Sequence, residues 1–469
     1  MTIKETAPSI PPASRIVPRA GVELDLAFTD LLANGQAVGR SDGVVVFCFG
    51  PLPGERARVV VTAVKPKYVV AKLLRLIDSS PQRVEPFCRV FGTCGGCQIQ
   101  HLSYPAQLAW KKGVLREALQ RIGGFDAIEP ADPVGMERPR AYRNKMSLVV
   151  AQGSGSPAIG FYRQRSHDVV PIDECPVVTE QLDGYIARFK TAASNAAVAD
   201  ALRQTRHLVA RNARATRQAV LAMTTARESA AVAQAASELL EDLPGAVGIV
   251  NSFEPSGENA ILGRRQRLVA GAAEIEETLG GVRYRVSAGS FFQVNVEIVE
   301  RIFETLQPHL ARGRRIVDLY CGAGTFALYF AAHGCDVVGI EENAGAVAEA
   351  RANAVLNRLQ ARVRFFAERV ERAVADGEGR AAVARADVAF LDPPRKGSGE
   401  ATLAALASAG VPEVWYLSCD PATLARDLKF LASKGYRLDA VRPFDMFPQT
   451  GHVEALAILR RSALDRSSP

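Results

Sequence analysis

The sequence predicts an α/β protein with three folded parts: a small all-β barrel, a mixed α/β central domain, and a doubly wound domain with a parallel sheet. Short alternating apolar runs early in the chain predict the barrel, and strands alternating with helices from about residue 314 predict the doubly wound sheet. The 469 residues exceed one ordinary domain, and 48% hydrophobic with 23% charged residues is typical of folded protein. We place the domains at 17–78, 79–270 and 271–469.

The N-terminal residues are rich in Pro and Ser and predict a disordered tail at 1–16. They lack the apolar core of a signal peptide, and no apolar run is long enough to span a membrane. We therefore expect a cytoplasmic protein without a membrane partner.

Positive charge is in excess, with 57 Lys and Arg against 50 Asp and Glu and a formal net charge of +7. Arg-rich stretches at 138–145 and 203–217 concentrate this charge. A polyanionic partner such as RNA fits this excess, but a solvated basic face explains either stretch as well.

The barrel is predicted from alternating apolar runs at 22–26, 44–47, 56–64 and 68–76, which Gly and Pro turns separate. About five short strands in this length are typical of a small closed barrel. Such barrels often bind nucleic acid through one face, although many bind protein or nothing.

The central segment mixes helical and strand patterns. A helix is predicted at 104–121, ended by Gly123 and Gly124, and a second at 228–240, while 145–150 and 158–162 alternate like strands. The order of these strands in a sheet does not follow from the pattern.

The last domain is predicted from a regular strand–loop–helix succession. Strands are expected at 315–320, 336–340, 363–366, 386–391 and 413–418, with helices at 325–332 and up to residue 357. This alternation indicates a parallel sheet with right-handed crossovers, which binds its ligands at the carboxyl ends of the strands.

A glycine loop follows the first of these strands. Cys321, Gly322, Ala323 and Gly324 come directly after a strand that contains Asp318, without the third spaced glycine of dinucleotide-binding loops. A shortened loop favours S-adenosylmethionine over a nicotinamide dinucleotide, because no pyrophosphate has to be held. Glu341, at the end of the second strand, is suited to bind both ribose hydroxyls; an exposed acid at a helix start is the alternative.

Two further strand ends carry groups suited to covalent catalysis. Asp392 is followed by Pro-Pro-Arg395, and Cys419 stands at the end of the neighbouring strand. A thiolate that adds to carbon 6 of uracil makes carbon 5 nucleophilic, and a base must then remove the carbon 5 proton. Cys419 suits the first role, with its thiolate favoured by a helix that begins near Pro421, and Glu454 suits the second. Alone, Cys419 would be read as a small buried hydrophobe.

Four segments resemble the RNA uracil-5-methyltransferases, in family order: SFFQVN at 290–295, DLYCGAGT at 318–325, DPPRKG at 392–397 and SCDP at 418–421. The resemblance implies a Rossmann-like methyltransferase domain with Cys419 as nucleophile and Glu454 as base. It also implies S-adenosylmethionine contacts from Gln293, Tyr320, Thr325, Glu341, Glu368 and Asp392. Thr325 stands where some relatives are expected to have Asn.

Cys88, Cys94, Cys97 and Cys175 provide four thiolates whose spacing suits either a zinc ion or a 4Fe-4S cluster. Cluster-bearing members of the family have a similar arrangement after a barrel that looks like a TRAM domain, an OB-like fold. The resemblance therefore implies a 4Fe-4S cluster at these four residues.

The same combination resembles the members that form 5-methyluridine in 23S ribosomal RNA. We expect a monomer that acts on RNA and not on DNA, with residues 142–146 and the barrel as candidate phosphate contacts. The alternatives are a transfer-RNA uridine-5-methyltransferase, a nicotinamide-dependent oxidoreductase, and a non-catalytic RNA-binding assembly factor, to which Cys419 and Glu454 would be of no use.

Overall fold

The computed structural model describes residues 18–152, 157–257, 260–376 and 378–462. The predicted tail at 1–16 lies outside the described residues. The chain divides into two compact units, of which the first comprises the described residues up to Pro86 together with Gln98–Ser103, and the second comprises Phe87–Cys97 and the chain from Tyr104 onward.

The first unit is a closed five-stranded barrel, in the order β1-β2-β3-β5-β4. Its strands are β1 (Glu23–Leu31), β2 (Gln36–Ser41), β3 (Val44–Phe49), β4 (Arg56–Val64) and β5 (Tyr68–Asp78). Alternate residues point inward, as in β3, where Val44, Val46 and Cys48 are buried. The predicted barrel is confirmed; β2 lay outside the predicted runs because Gly39 and Arg40 interrupt its apolar pattern.

The second unit includes a long helix, α1 (Tyr104–Ala118), which continues into one π-helical turn (Leu119–Gly123) and ends at Gly124 in the left-handed region, with φ +73°. The predicted helix therefore begins at the expected residue and ends at the expected glycines. Leu115 and Leu119 pack into the hydrophobic core that also contains Val414 of the C-terminal sheet and Leu424 of the helix at 421–433.

The central part is a seven-stranded sheet in the order β12-β11-β10-β9-β6-β7-β8, whose only parallel pair among the described strands is β10 with β11. Three helices pack on one face around Leu182, Val198 and Leu239. The elements are β6 (Lys145–Ala151), β7 (Ala158–Tyr162), β8 (Val169–Pro171), α2 (Glu180–Ala192), α3 (Ala196–Gln204), β9 (Thr205–Asn212), β10 (Ala219–Thr225), α4 (Ala230–Asp242), β11 (Ala246–Pro255) and β12 (Gly263–Gly271).

A two-stranded ribbon and one helix lead into the C-terminal sheet: β13 (Glu274–Leu279), β14 (Val282–Ser287) and α5 (Val296–Leu306), with a 3₁₀ turn at Gln307–His309. The sheet contains β15 (Arg315–Leu319), β16 (Asp336–Glu341), β17 (Val363–Ala367), β18 (Val388–Leu391), β19 (Glu413–Ser418), β20 (Tyr436–Phe444) and β21 (Glu454–Arg461). Its helices are α6 (Thr325–Ala332), α7 (Ala344–Leu356), α8 (Val370–Ala375), α9 (Glu378–Arg385), α10 (Glu400–Ala409) and α11 (Pro421–Ser433).

The strand order is β17-β16-β15-β18-β19-β21-β20, and the first five strands are parallel. The predicted parallel, doubly wound sheet is confirmed for those five strands. Two further strands that the sequence analysis did not predict extend this sheet, and β21 runs antiparallel to both β19 and β20. The connection from β20 to β21 is a loop at 445–453 rather than the crossover helix that a parallel pair needs.

The reversed direction of β21 has a consequence for the site. The first residues of an antiparallel strand lie at the same sheet edge as the last residues of its parallel neighbour. Ser418, the last residue of β19, pairs with Ala455, and Glu454 therefore begins β21 next to the end of β19.

The described helices include none with the length and apolar character needed to cross a membrane.

Candidate active site

The glycine loop lies between β15 and α6, where Tyr320 adopts a left-handed backbone with φ +66°. Gly324 is also left-handed, at φ +82°, and a Cβ placed there would lie 3.0 Å from the Phe365 ring and 3.1 Å from the Ala350 Cβ. At Gly322, where φ is +53°, an added Cβ would lie 3.8 Å from the Phe291 ring. Gly324 is therefore required by close packing as well as by its backbone conformation, whereas at Gly322 the backbone conformation alone requires glycine.

A pocket opens above this loop and brings together four of the six predicted cofactor contacts, which are Gln293, Tyr320, Thr325 and Asp392. The other lining residues are Phe291, Asp318, Cys321, Gly322, Ala323 and Phe326. The sequence reasoning did not select Phe291, whose side chain is 76% exposed at the rim of the pocket. The signal available was its position two residues before Gln293.

Glu341 is the last residue of β16, and Glu368 directly follows β17. The Glu341 carboxylate accepts hydrogen bonds from the backbone N–H of Gly322 (3.2 Å) and of Asn343 (2.8 Å), which places it at the glycine loop. The backbone N–H of Glu368 donates to the carbonyl of Glu341 at 2.9 Å. The Glu368 side chain pairs with Arg372 at 3.1 Å and lines an adjacent cleft instead of the pocket above the glycine loop.

The loop that carries Gln293 is held by two buried side chains from the central sheet. Asn144 donates to the carbonyl of Gln293 at 3.1 Å, and Arg211 donates to the carbonyl of Ser290 at 2.9 Å. Arg211 is almost fully enclosed, so its backbone contacts fix the loop rather than face solvent. Sequence reasoning missed both residues, because their role depends on contacts between distant segments.

Burial of side chains also limits which residues of the segment 142–146 can contact phosphate. Tyr142, Asn144 and Met146 are buried, and Tyr142 donates its hydroxyl to the carbonyl of Pro448 at 3.0 Å. Arg143 and Lys145 keep partial exposure. For the three buried residues the predicted phosphate contact is wrong, because their side chains fill the interior.

Cys419 lies between the end of β19 and the start of α11. Burial raises the pKa of the Cys419 thiol to about 11, and the nearby carboxyls of Glu454 and Asp392 act in the same direction, opposed by Arg395. The predicted thiolate character from the helix N-terminus is therefore wrong for the protein without RNA. Asp420 caps that helix, accepting hydrogen bonds from the N–H groups of Ala422 (3.0 Å) and Thr423 (2.9 Å).

Glu454 and Asp392 form an acidic pair beside this thiol. Glu454 is 6% exposed, and both burial and Asp392 raise its carboxyl pKa well above the usual range. Burial raises the pKa of Asp392 to about 7. Two carboxyl groups that share one poorly solvated site cannot both ionise easily, so a proton is retained between them near neutral pH.

His452 is a further site residue that sequence reasoning did not select. Its ring Nε2 lies 3.4 Å from an Arg395 guanidinium nitrogen, and its backbone N–H donates to the Thr450 hydroxyl at 3.3 Å. Burial, followed by the charge of Arg395, lowers the pKa of His452 to about 4, so the ring is neutral. Its position two residues before Glu454 was the available signal.

The four predicted cluster cysteines lie together in the second unit. The pKa of the Cys97 thiol is raised by burial and then by the nearby thiols of Cys175, Cys94 and Cys88. Burial raises the pKa of Cys175 to about 11. Within the described ranges, however, no group of three or more His, Cys, Asp and Glu side chains is arranged to hold a metal ion.

Comparisons with known proteins agree with this geometry. The family model described as tRNA (uracil-5-)-methyltransferase matches residues 161–462, and that of the TRAM domain matches residues 19–74. An uncharacterised RNA methyltransferase of Halalkalibacterium halodurans is 36% identical over 93% of this chain and 96% of its own length. Another, from Gloeobacter violaceus, is 37% identical over 94% of this chain and 97% of its own.

Among solved structures, the Pyrococcus abyssi tRNA (uracil-54, C5)-methyltransferase in complex with S-adenosyl-L-homocysteine is similar with a TM-score of 0.73 at 27% identity. The match covers 93% of this chain and 99% of that protein. The family match covers more than half of the chain, and the relatives span nearly all of it. The chain therefore belongs to the tRNA (uracil-5-)-methyltransferase family and is an RNA methyltransferase with a TRAM domain.

Proposed function

We propose that this protein methylates carbon 5 of a uridine in 23S ribosomal RNA through a covalent bond between Cys419 and the base. The observation that carries the proposal is the meeting of Cys419, Glu454 and Asp392 at one sheet edge, where each of the two carboxyl groups raises the pKa of the thiol. A site that only binds RNA has no use for a nucleophile and a base in contact range.

S-adenosylmethionine is the proposed methyl donor. The pocket above the glycine loop fits it, because Glu341 stands at the loop with carboxylate oxygens that can each accept a further hydrogen bond, as ribose hydroxyls require. Gln293, Tyr320, Thr325 and Asp392 would line the bound molecule. Glu368, which lines the adjacent cleft, is proposed to approach the adenine from there. When bound, the cofactor supplies an electrophilic methyl group.

The chain's own residues then account for the chemistry. The Cys419 thiol gives up its proton to solvent, its sulfur adds to carbon 6 of the uracil, and the electron pair of the 5,6 double bond moves into an enolate whose carbon 5 is nucleophilic. Carbon 5 takes the methyl group as the bond from that group to the donor sulfur breaks, and Glu454, as the ionised member of the acidic pair, then accepts the carbon 5 proton. The carbon 6–sulfur bond breaks as the double bond re-forms, and the Cys419 thiolate is released.

Trapping tests this scheme. A fluorine at carbon 5 cannot leave as a proton does, so RNA containing 5-fluorouridine should stay bound to the protein through a bond that survives denaturing electrophoresis. Cys419→Ala should abolish this adduct. Cys335→Ala changes a buried cysteine that contacts the carbonyl of Ala311 at 3.5 Å, away from the pocket residues, and should leave the adduct unchanged. An adduct formed by the Cys419→Ala variant would overturn the proposed nucleophile.

The proposed RNA is 23S rather than transfer RNA, since a TRAM domain combined with four cysteines resembles the ribosomal members. We assign the first RNA contacts to the barrel domain at 17–78, with 79–270 as a central domain and 271–469 as the catalytic domain. The likeness to the Pyrococcus abyssi transfer-RNA enzyme favours the second candidate. Mapping 5-methyluridine in both RNAs of a deletion strain decides: a loss confined to transfer RNA contradicts the ribosomal assignment.

A 4Fe-4S cluster is the proposed group at Cys88, Cys94, Cys97 and Cys175. The donor set supports it, because the thiols of Cys88, Cys94 and Cys175 lie close enough to Cys97 to raise its pKa. The cluster would hold together two sequence-distant parts of the central region, the segment 88–97 and the segment around Cys175. Protein purified without oxygen should be brown with one cluster per chain, and a colourless protein with stoichiometric zinc would refute the assignment.

A further inference from the structure

The loop at 445–453, which connects β20 to the strand that begins with Glu454, is enclosed although it has almost no regular structure. Asp445, Met446, Gln449 and Thr450 are buried, and Gln449 adopts a left-handed backbone with φ +71°. A non-glycine residue in this conformation is held there by its surroundings rather than by its own preference. The position of Glu454 therefore depends on the residues that hold this loop in place.

Two side chains of helix α1, one helical turn apart, make polar contacts with this loop. The Gln107 amide makes a paired contact with Gln449: its Nε2 donates to the Gln449 side-chain oxygen at 2.9 Å, and its Oε1 accepts from the Gln449 backbone N–H at 3.1 Å. Lys111, one turn further on, pairs with Asp445 at 2.5 Å and donates to the carbonyl of Phe447 at 3.1 Å.

Both sets of contacts lie inside the protein. The side chains of Lys111 and Asp445 are 2% and 0% exposed, and Gln107 and Gln449 are buried as well. A buried ion pair contributes little net stability compared with an apolar pair of the same size, but it admits few alternative arrangements. Such contacts fix a geometry more than they add free energy of folding.

The loop is also fixed from two other directions. Tyr142 donates to the carbonyl of Pro448, Asn295 donates to the carbonyl of Met446 at 3.1 Å, and the Gln449 amide donates to the carbonyl of Pro139 at 3.2 Å. Asn295 belongs to the segment that also carries Gln293. The loop before Glu454 and the loop before the cofactor pocket therefore share one buried polar network.

We propose that Gln107 and Lys111 are positioning residues for the proton-abstraction step, which hold the loop at 445–453 so that Glu454 faces the uracil bound to Cys419. This inference rests on the proposed covalent mechanism. It predicts an effect on one step only, because neither residue lies in the cofactor pocket. Attack and methyl transfer should proceed, and release of the methylated base should be slow.

Gln107→Leu tests this, since leucine is similar in volume and makes neither hydrogen bond. With RNA containing ordinary uridine, the methylated covalent adduct should accumulate, and turnover should fall by about 10- to 100-fold, as expected for misplacement of a catalytic group by about 1 Å. Gln107→Glu retains an acceptor for the Gln449 N–H and should give an intermediate defect. Lys112→Ala changes a neighbour on the same helix that pairs with Asp132 at 2.9 Å, and should turn over normally.

The outcomes separate the two ideas. If the unaltered protein forms no adduct with 5-fluorouridine RNA, the covalent mechanism fails and the positioning role fails with it. If it forms the adduct but Gln107→Leu slows methyl incorporation and release equally, or slows neither, the positioning role alone is overturned. A variant that loses thermal stability but keeps normal turnover per folded molecule also overturns it. Accumulated methylated adduct with partial rescue in Gln107→Glu supports it.

Discussion

The two sides of the candidate active site are built in different ways. On the cofactor side, Tyr320, Thr325 and the glycine loop follow one strand within a few residues, and their arrangement is local in sequence. On the side of Glu454, the loop at 445–453 is held by residues more than three hundred positions earlier in the chain, such as Gln107 and Tyr142. The first side depends on backbone conformation, and the second depends on buried polar contacts between distant segments.

If that contrast is right, the largest stability effect should come from the assembled side. Lys111→Met leaves Asp445 buried without its charge partner and should lower the free energy of unfolding by about 3–5 kcal/mol. Chemical denaturation followed by circular dichroism measures this. Lys111→Met combined with Asp445→Leu removes both charges and should recover most of the loss; a double variant as unstable as the single one would show that the ion pair is not the cause.

The reactivity of Cys419 tests how the two sides meet. Because the pKa of its thiol is raised to about 11, the thiolate is scarce at neutral pH and its fraction grows as the pH rises. The single-turnover rate of adduct formation with 5-fluorouridine RNA should increase about tenfold per pH unit between about pH 7 and 9. A rate that levels off below pH 8 would mean that bound RNA removes the raised pKa, for example by separating the thiol from Glu454.

A smaller effect is expected on the local side. Gly324→Ala forces a Cβ against the Phe365 ring and the Ala350 methyl in a left-handed backbone, and should destabilise by about 1–2 kcal/mol. Gly322→Ala also places a side chain on a left-handed backbone, but its Cβ would make only an ordinary van der Waals contact, 3.8 Å from the Phe291 ring, so it serves as the control in the same unfolding measurement. Equal losses in the two variants would show that backbone strain alone, and not the close packing, sets the requirement for glycine.

The same contrast explains what the sequence could predict. Strands at 315–320 and 413–418 and the helix at 325–332 are stretches whose apolar pattern and flanking residues agree with their fold, so their bounds came within a residue. The reversed direction of β21 did not follow from pattern, because no local signal says which neighbour a strand will pair with. Arg211, Asn144 and Gln107 look like surface polar residues until the segments they join are brought together.

The thiol of Cys419 shows the limit of local reasoning most clearly. A helix start nearby predicted a lowered pKa, and the helix does start there, at Pro421. The pKa is raised first by burial and then by Glu454 and Asp392, which come from other segments of the sheet, while Asp420 occupies the helix N–H groups. The pKa of a group depends on its burial and on all the charged groups around it, and the sequence indicated only one of these influences, the helix N-terminus.

The strand order also bears on the order in which the C-terminal sheet folds. β21 lies between β19 and β20, which both precede it in the chain, so β20 has no neighbour in the sheet until β21 is inserted. β20 and β21 are consecutive in the chain, whereas α11 and β20 separate β19 from β21, so the pairing of β19 with β21 is the less local of the two and is expected to form later. Glu454 is the first residue of that inserted strand. A chain in which β19 and β21 have not yet paired therefore holds the proposed nucleophile without the proposed base, and the pairing that completes the sheet also brings Glu454 to Cys419.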